Sequence, residues 1–387
     1  MTDMAQSEKS ADIVVVGGGI LGLCTAFYLA HTCPLKISLL EKGLLAQAST
    51  GLSVGGIRQQ FSHPSNIRLS QMTLELFTSF EETFGRPLDF HRVGYLFLAQ
   101  KEQTWHFFGE SVRTQKDLGV PVDALPPSEL RRRWPFLNTD DLQGGTFCAQ
   151  DGYADPYSVA MAFAEAARAL GVTIAENTRV LEVHTGGGHV RGVRTTRGTV
   201  AAPIVVNTAG AWAAELAATA GVELPVLPFR RQVYVTRRFD AIPGPLPLII
   251  DQDSLFYFRG EGQGILMGMT DRKEPSSFNT HVDRDFLESL IEAAYRRAPL
   301  LAQAEILRGW AGLYAITPDE NPIIGRLGEL DGFFGAVGFS GHGFQHGPSA
   351  GRILSERILT GKTDFDLTPF SYTRFTRPAG PGEKRTV

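Results

Sequence analysis

Residues 338–347 read GFSGHGFQHG, with His342 and His346 four apart among four glycines. That is the spacing by which one helix face offers two imidazoles to a metal. No carboxylate or cysteine stands beside them to complete a ligand set, so no metal site is expected and the glycines govern the reading. A hydrophobic run, 332–337, leads into them. An apolar-periodic segment through Ile353, Leu354, Ile358 and Leu359 follows and closes at Gly361. The stretch is therefore a strand-to-helix turn, whose exposed amides and positive helix end suit an anionic group.

A second such turn lies near the start. Residues 12–41 read DIVVVGGGILGLCTAFYLAHTCPLKISLLE. Ile13 to Val16 is a β-branched run of the kind buried on both faces of a parallel sheet. Gly17-Gly18-Gly19-Ile20-Leu21-Gly22 then satisfies GxGxxG. Gly17 permits the tight turn, Gly19 lets a pyrophosphate approach the backbone, and Gly22 allows close helix packing. A second strand, Ile37 to Leu40, ends in Glu41, nineteen residues after Gly22, where a carboxylate can bind a ribose 2′-hydroxyl. Strand, glycines, helix, strand and acid together predict dinucleotide binding, without separating FAD from NAD. After Glu41 comes a long polar, glycine-rich loop with Lys42, Ser49, Thr50 and Ser53, whose hydroxyls either bond phosphate or ring atoms or serve turns and caps.

The totals narrow the class. The 387 residues allow two or three domains, and a net charge of −4 gives no general attraction to nucleic acid or anionic lipid. Arg131-Arg132-Arg133, beside Glu129, reads as a solvated helix face. Three cysteines, Cys24, Cys33 and Cys148, have no CxxC or zinc spacing, which suits a reduced, cytoplasmic protein. Ile13 to Ala30 carries no charge, but four glycines interrupt it, so a buried strand and helix are expected rather than a membrane span. A disulfide reductase would need a second GxGxxG or a CxxC; neither is present.

Later landmarks are the strand Val180-Leu181-Glu182-Val183, the strand Ile204 to Val206 leading into NTAGAW with Gly210 and Trp212, and GWAGLYAITPDENPIIG at 309–325. The combination of GGGILG, STGLSVGGIRQQF, TPDENPIIG and GFSGHGF resembles the D-amino-acid-oxidase-like superfamily of FAD-dependent amine oxidoreductases. The likeness is to its sarcosine oxidase, dimethylglycine dehydrogenase and proline dehydrogenase β-subunit branch, over about residues 11–365. The resemblance implies an α/β (α+β) two-domain fold: a Rossmann-like FAD-binding domain interleaved with a substrate domain on a mainly antiparallel sheet. The FAD segments would be 11–86, 149–224 and 308–372, the substrate domain 87–148 and 225–307, with 1–10 and 373–387 disordered ends. Local signals agree: Asp155-Pro156 opens a helix from Tyr157 to Leu170, and runs such as 232–235 and 255–258 read as antiparallel strands before a helix at about 283–297.

For the site, the resemblance implies FAD contacts from Gly17 to Gly22 through Ile20 and Leu21, and from Glu41, Lys42, Ser49, Thr50 and Ser53. Val180, Gly210, Trp212 and Gly312 would add to them. The turn of Gly338, Ser340, Gly341, His342, Gly343, Phe344 and Gln345 would face the flavin pyrimidine ring. Such enzymes oxidise an amino acid's Cα–N bond to an imine by hydride transfer to flavin N5. Arg58, in GGIRQQF, matches the arginine that grips the substrate carboxylate, for which a guanidinium fork is suited. Tyr257 is either a substrate-pocket tyrosine or a core aromatic, and His346 is structural. Relatives attach FAD through a histidine where this chain has Ser53, or a cysteine where it has Gly312, so FAD is expected to be non-covalent. A family lysine is Gln345 here, and the lysine that promotes oxygen reaction in sarcosine oxidases is Leu266, with Thr270 at a histidine position. A dehydrogenase is therefore favoured over an oxidase. The expected partners are a small amino-acid substrate and an electron-acceptor protein or partner subunit; the alternative is a non-catalytic FAD-binding assembly factor or subunit.

Overall fold

The computed structural model describes residues 9–376 apart from Pro243. Ile13–Val16 forms a strand with all four residues buried, parallel to Ile37–Leu40 on one side and Ile204–Asn207 on the other. Thr173–Ala175 extends this sheet at one edge, and Phe333–Val337 then Ile323–Arg326 extend it at the other. Only the last pair is antiparallel. A sheet buried on both faces demands continuous apolar strands, which is why IVVV does not alternate.

Three helices, Ile20–Thr32, Pro156–Ala169 and Gly343–Thr360, cover one face and share its apolar core. The other face packs on a small sheet holding Val180–Gly186, His189–Thr195 and Gly198–Ala201. Asp155 caps its helix, accepting from the Tyr157 and Ser158 amides at 3.4 and 2.9 Å. Arg132 and Arg133 both reach Glu129 on the exposed face of Pro127–Arg133.

A second large sheet runs Ile306–Ile316, Leu227–Thr236, Gly264–Met269, Phe256–Glu261, Leu248–Asp251, Tyr95–Ala99, Gly144–Cys148, Val122–Leu125. Every neighbouring pair is antiparallel except Tyr95–Ala99 with Leu248–Asp251. The helix Arg284–Arg297 packs beneath it, and buried Arg297 pins that layer to Asp251 and Asp141, both at 2.9 Å. Ile306–Ile316 pairs along its whole length with Leu227–Thr236, so the boundary expected at 307/308 falls inside one strand.

Two expectations about the ends need correction. Lys9 and Ser10 are not disordered but pair with Val200 and Ala201, because the chain enters the fold alongside a strand with an open edge. Tyr372–Thr376 forms a 3-10 helix in which Arg374 pairs with Asp319 at 2.7 Å and Tyr372 donates to the Glu223 carbonyl. The remainder of both ends, 1–8 and 377–387, lies outside the described residues.

The helices Ile20–Thr32 and Gly343–Thr360 approach at Gly351. A Cβ there would stand 2.7 Å from Cys24 Cβ and 2.8 Å from the Cys24 carbonyl carbon. Gly351→Ala should therefore destabilise the fold by roughly 1–3 kcal/mol through overpacking. Urea unfolding checks this; a wild-type midpoint would show that the helices can part without cost.

Candidate active site

The two glycine turns and the loop after Glu41 open onto one cavity of about 360 Å³, closed on its far side by the second sheet. Its first wall is the GxGxxG turn. A Cβ on Gly22 would lie 1.9 Å from the Gly17 carbonyl oxygen, so that position must be glycine for the helix to start here. Gly22 packs behind the wall, while Gly17, Gly19, Ile20 and Leu21 face the cavity. The Ile20 amide, free at the helix start, donates to the Thr50 hydroxyl at 3.1 Å. An oxygen thus already stands where that helix end favours an anion.

Glu41 is held from both sides. Its Oε2 accepts from the Gly18 amide at 2.6 Å and its Oε1 from the Gly43 amide at 2.8 Å. The carboxylate therefore braces the turn while facing the cavity, with lone pairs left for a ribose. Beyond it, the Lys42 ammonium lies 2.7 Å from the centroid of the Trp212 ring, and burial depresses its pKa to about 8. Ser49 donates to the Leu313 carbonyl at 2.7 Å, clipping this loop onto strand Ile306–Ile316, and Ser53 accepts from the Gly55 amide. Val180, Gly210, Trp212 and Gly312 complete this part of the lining.

The far wall is the turn that enters Gly343–Thr360. Ser340 has φ +48, a left-handed conformation that a non-glycine residue keeps only when its surroundings impose it. Its amide donates to the Ala315 carbonyl at 2.9 Å and its hydroxyl accepts from the Thr317 amide, stitching the turn to the second sheet. Gly338, Ser340, Gly341, Gly343 and Phe344 face the cavity.

Arg58, His342 and Gln345 come together directly behind that lining. Arg58 is 3% exposed; one guanidinium nitrogen stands 3.0 Å from His342 Nε2, another donates to the Gln60 carbonyl, and its amide donates to Gln345 Oε1 at 2.8 Å. The guanidinium also lies over the Phe61 ring. Burial first, then the Arg58 charge, holds His342 well below the usual imidazole range, so it is neutral and accepts at Nε2. His346 is 1% exposed and its Nε2 stands 3.0 Å from Ser70 Oγ, a packed core position.

Tyr257 does line the cavity, beside Arg231, Val233 and Tyr314, none of which was anticipated. A signal existed: in a strand successive side chains face opposite sides, so of the neighbours Arg230 and Arg231 one must face inward.

The glycine turns, the oxygen already on the Ile20 amide and the braced acid fit a dinucleotide. This is a Rossmann-like nucleotide site opening onto a chamber beneath an antiparallel sheet, the arrangement of a flavin-dependent oxidoreductase. The family model for FAD dependent oxidoreductase (DAO) matches residues 12–357, and the chain belongs to that family of FAD-dependent amine oxidoreductases. It is 32% identical to FAD-dependent oxidoreductase domain-containing protein 1 of Xenopus laevis, over 95% of this chain and 83% of that one. It is 30% identical to mitochondrial sarcosine dehydrogenase of Homo sapiens over 95% of this chain, but spans only 42% of that longer protein. The crystal structure of L-proline dehydrogenase from P. horikoshii superposes with a TM-score of 0.89 at 32% identity, covering 96% of this chain and 99% of that one.

Two predictions follow from these contacts. Glu41→Ala should weaken FAD retention by roughly 1.5–3 kcal/mol, since it removes a charged acceptor and loosens the turn it braces; unchanged affinity in a titration of apoprotein would remove that role. The second concerns pH. Burial, then the Arg58 charge, lowers the His346 pKa to about 3, whereas an unfolded imidazole titrates near ~6.5. Below that value the unfolded chain binds a proton the folded one refuses, so stability falls as pH falls. Asp151, raised to about 6 chiefly by burial, acts with the opposite sign between about 4 and 6. His346→Gln isolates the first effect: from pH 7.5 to 5 the wild type should lose about 2 kcal/mol more than the variant. Equal losses in urea unfolding would show that His346 is protonated in the fold.

Proposed function

We propose that this protein oxidises the Cα–N bond of an amino acid carrying a substituted or secondary nitrogen to the imine, using FAD held without a covalent bond. The carrying observation is the continuity of one cavity from the dinucleotide turn to the chamber of Tyr257, Tyr314 and Arg231. When bound, FAD supplies the hydride acceptor. The protein's part is to fix the substrate and exclude water. Sarcosine and proline, the substrates in the names of two relatives, are both secondary amines with a neighbouring carboxylate.

The residues around the chamber favour a dehydrogenase. Leu266 is 2% exposed and packs with Tyr95, Val233 and Tyr257, so the position where sarcosine oxidases carry the oxygen-promoting lysine adds no charge beyond that of Arg231 on the same wall. Neutral His342, accepting from Arg58 at Nε2, carries its proton at Nδ1. Gly312 offers no thiol and Ser53 no imidazole for covalent attachment. Arg58 and Gln345, expected to hold the carboxylate, would reach a substrate only by exchanging the contacts that now tie them to His342 and to each other.

The test is a dye-linked assay over paired secondary and primary amino acids, run in air with and without the dye. Dye reduction by secondary amino acids, with slow turnover by oxygen alone, is expected. Oxygen turnover as fast as dye reduction would overturn the dehydrogenase assignment. No reduction by any amine would favour a non-catalytic FAD-binding subunit. Acid precipitation should leave the yellow colour in the supernatant; colour in the pellet would overturn non-covalent binding.

A further inference from the structure

Arg230 and Arg231 are neighbours in one strand with opposite electrostatic situations. Arg230 faces away from the cavity, where Glu274 grips it through both oxygens, at 3.1 and 2.8 Å, and Asp283 adds a third contact at 2.8 Å. The buried arginines of this sheet and its helix also have acids: Arg259 has Glu261, and Arg297 has Asp141 and Asp251. Arg231 faces the cavity and, among the described residues, pairs with none. One of its terminal nitrogens donates to the Arg230 carbonyl at 2.8 Å, while its Nε is buried without any hydrogen-bond partner. Glu274, already bound to Arg230, and Glu320 act on it only at longer range.

A half-buried cation whose Nε is fully buried and bare is costly unless an anion completes it. Burial lowers the Arg231 pKa, yet a guanidinium stays charged. What surrounds it defines the anion. Arg231 stands opposite Gly312 in the strand pairing, and its guanidinium lies 5.1 Å from the centroid of the Tyr314 ring. Tyr257 and Val233 form the adjoining wall. Beyond the Gln232–Met269 pair on the other side, Thr270 Oγ1 is also buried without a partner. A planar fork beside phenols and an apolar wall suits one carboxylate on a small organic molecule. The helix-end site at Ile20, by contrast, is the one built for phosphate.

We propose that Arg231 receives the substrate carboxylate. Arg58 instead acts as a positioning residue: it fixes His342 and the turn behind the cavity. This rests on the amine-oxidation reading above, and it adds Arg231 as the residue that selects an amino acid over a plain amine.

The probe is pyrrole-2-carboxylate, which has no α-hydrogen to give up, with pyrrole as its partner lacking the carboxylate. Binding to the FAD-loaded full chain is read by calorimetry and by perturbation of the flavin absorption band. Wild type should bind the carboxylate and not pyrrole. Arg231→Met should weaken carboxylate binding roughly 10- to 150-fold, the equivalent of losing one charged hydrogen-bonded contact. Arg231→Lys should fall between the two, keeping charge without the fork. FAD content and thermal midpoint report whether each variant is folded; if Arg231→Met is not, Arg231→Lys carries the comparison. Wild-type affinity in a folded variant overturns the assignment, as does loss of FAD with carboxylate affinity intact, which would place Arg231 on the cofactor. If amines reduce the flavin but Arg231 does not affect carboxylate binding, this assignment fails alone. If Arg231 governs carboxylate binding but no amine reduces the flavin, the oxidation reading fails and the binding site stands.

Discussion

The nucleotide half of the cavity is arranged around the close approach of Gly22 to the Gly17 carbonyl. With a methyl group's position on Gly22 only 1.9 Å from the Gly17 carbonyl oxygen, the chain can leave the central strand and begin a helix within three residues. That tightness leaves the amides of Gly18 and Ile20 without helical partners. Glu41 takes one and Thr50 the other, so a turn with no side chains of its own is held by residues from the second strand and the loop beyond it. The bracing and the binding surface are the same atoms. Nucleotide affinity and local stability are consequently coupled.

The second constraint is how the two sheets share the cavity. Strand Ile306–Ile316 belongs by hydrogen bonding to the antiparallel sheet, yet the Ser49 hydroxyl and the Ser340 amide both bond to its carbonyls. One strand therefore sets the spacing between the glycine turn after Val16, the turn before Gly343 and the cavity wall of the second sheet. Arg231 sits directly across from Gly312 on that strand's neighbour. Its charge is carried toward the cavity by the pleat, while Arg230 is carried away to its acids. A polar group left bare in a packed interior is a common mark of a site whose missing partner is the ligand.

Sequence made the nucleotide half readable because its signals are local. Four β-branched residues, a fixed glycine spacing and an acid nineteen positions on each depend on backbone geometry within one unit. The helix after Asp155 and the turn before Gly343 were legible for the same reason. The chamber was not. Tyr257, Arg231 and Tyr314 meet only through strand register, and nothing nearby in the chain distinguishes Arg231 from Arg230 except a choice of face. Arg58 looked like a cavity residue because its motif is distinctive, but its burial behind His342 depends on Phe61, Gln60 and a helix nearly three hundred residues away. The pairing of Lys9 and Ser10 was hidden too, since an edge strand's partner leaves no trace in a two-residue segment.

In the proposed function, one cavity brings a carboxylate-bearing secondary amine to a bound flavin. The most direct test is an anaerobic titration of the FAD-loaded protein, following the flavin absorption band. Proline and sarcosine would be set against pyrrolidine and dimethylamine, which lack the carboxylate. At least one of the two amino acids should bleach the band in proportion to the amount added, with the matching imine or its hydrolysis product recovered in equal amount. The amines without a carboxylate should leave the band intact. A band unchanged by every amino acid, or bleached equally by amines without the carboxylate, would contradict that function.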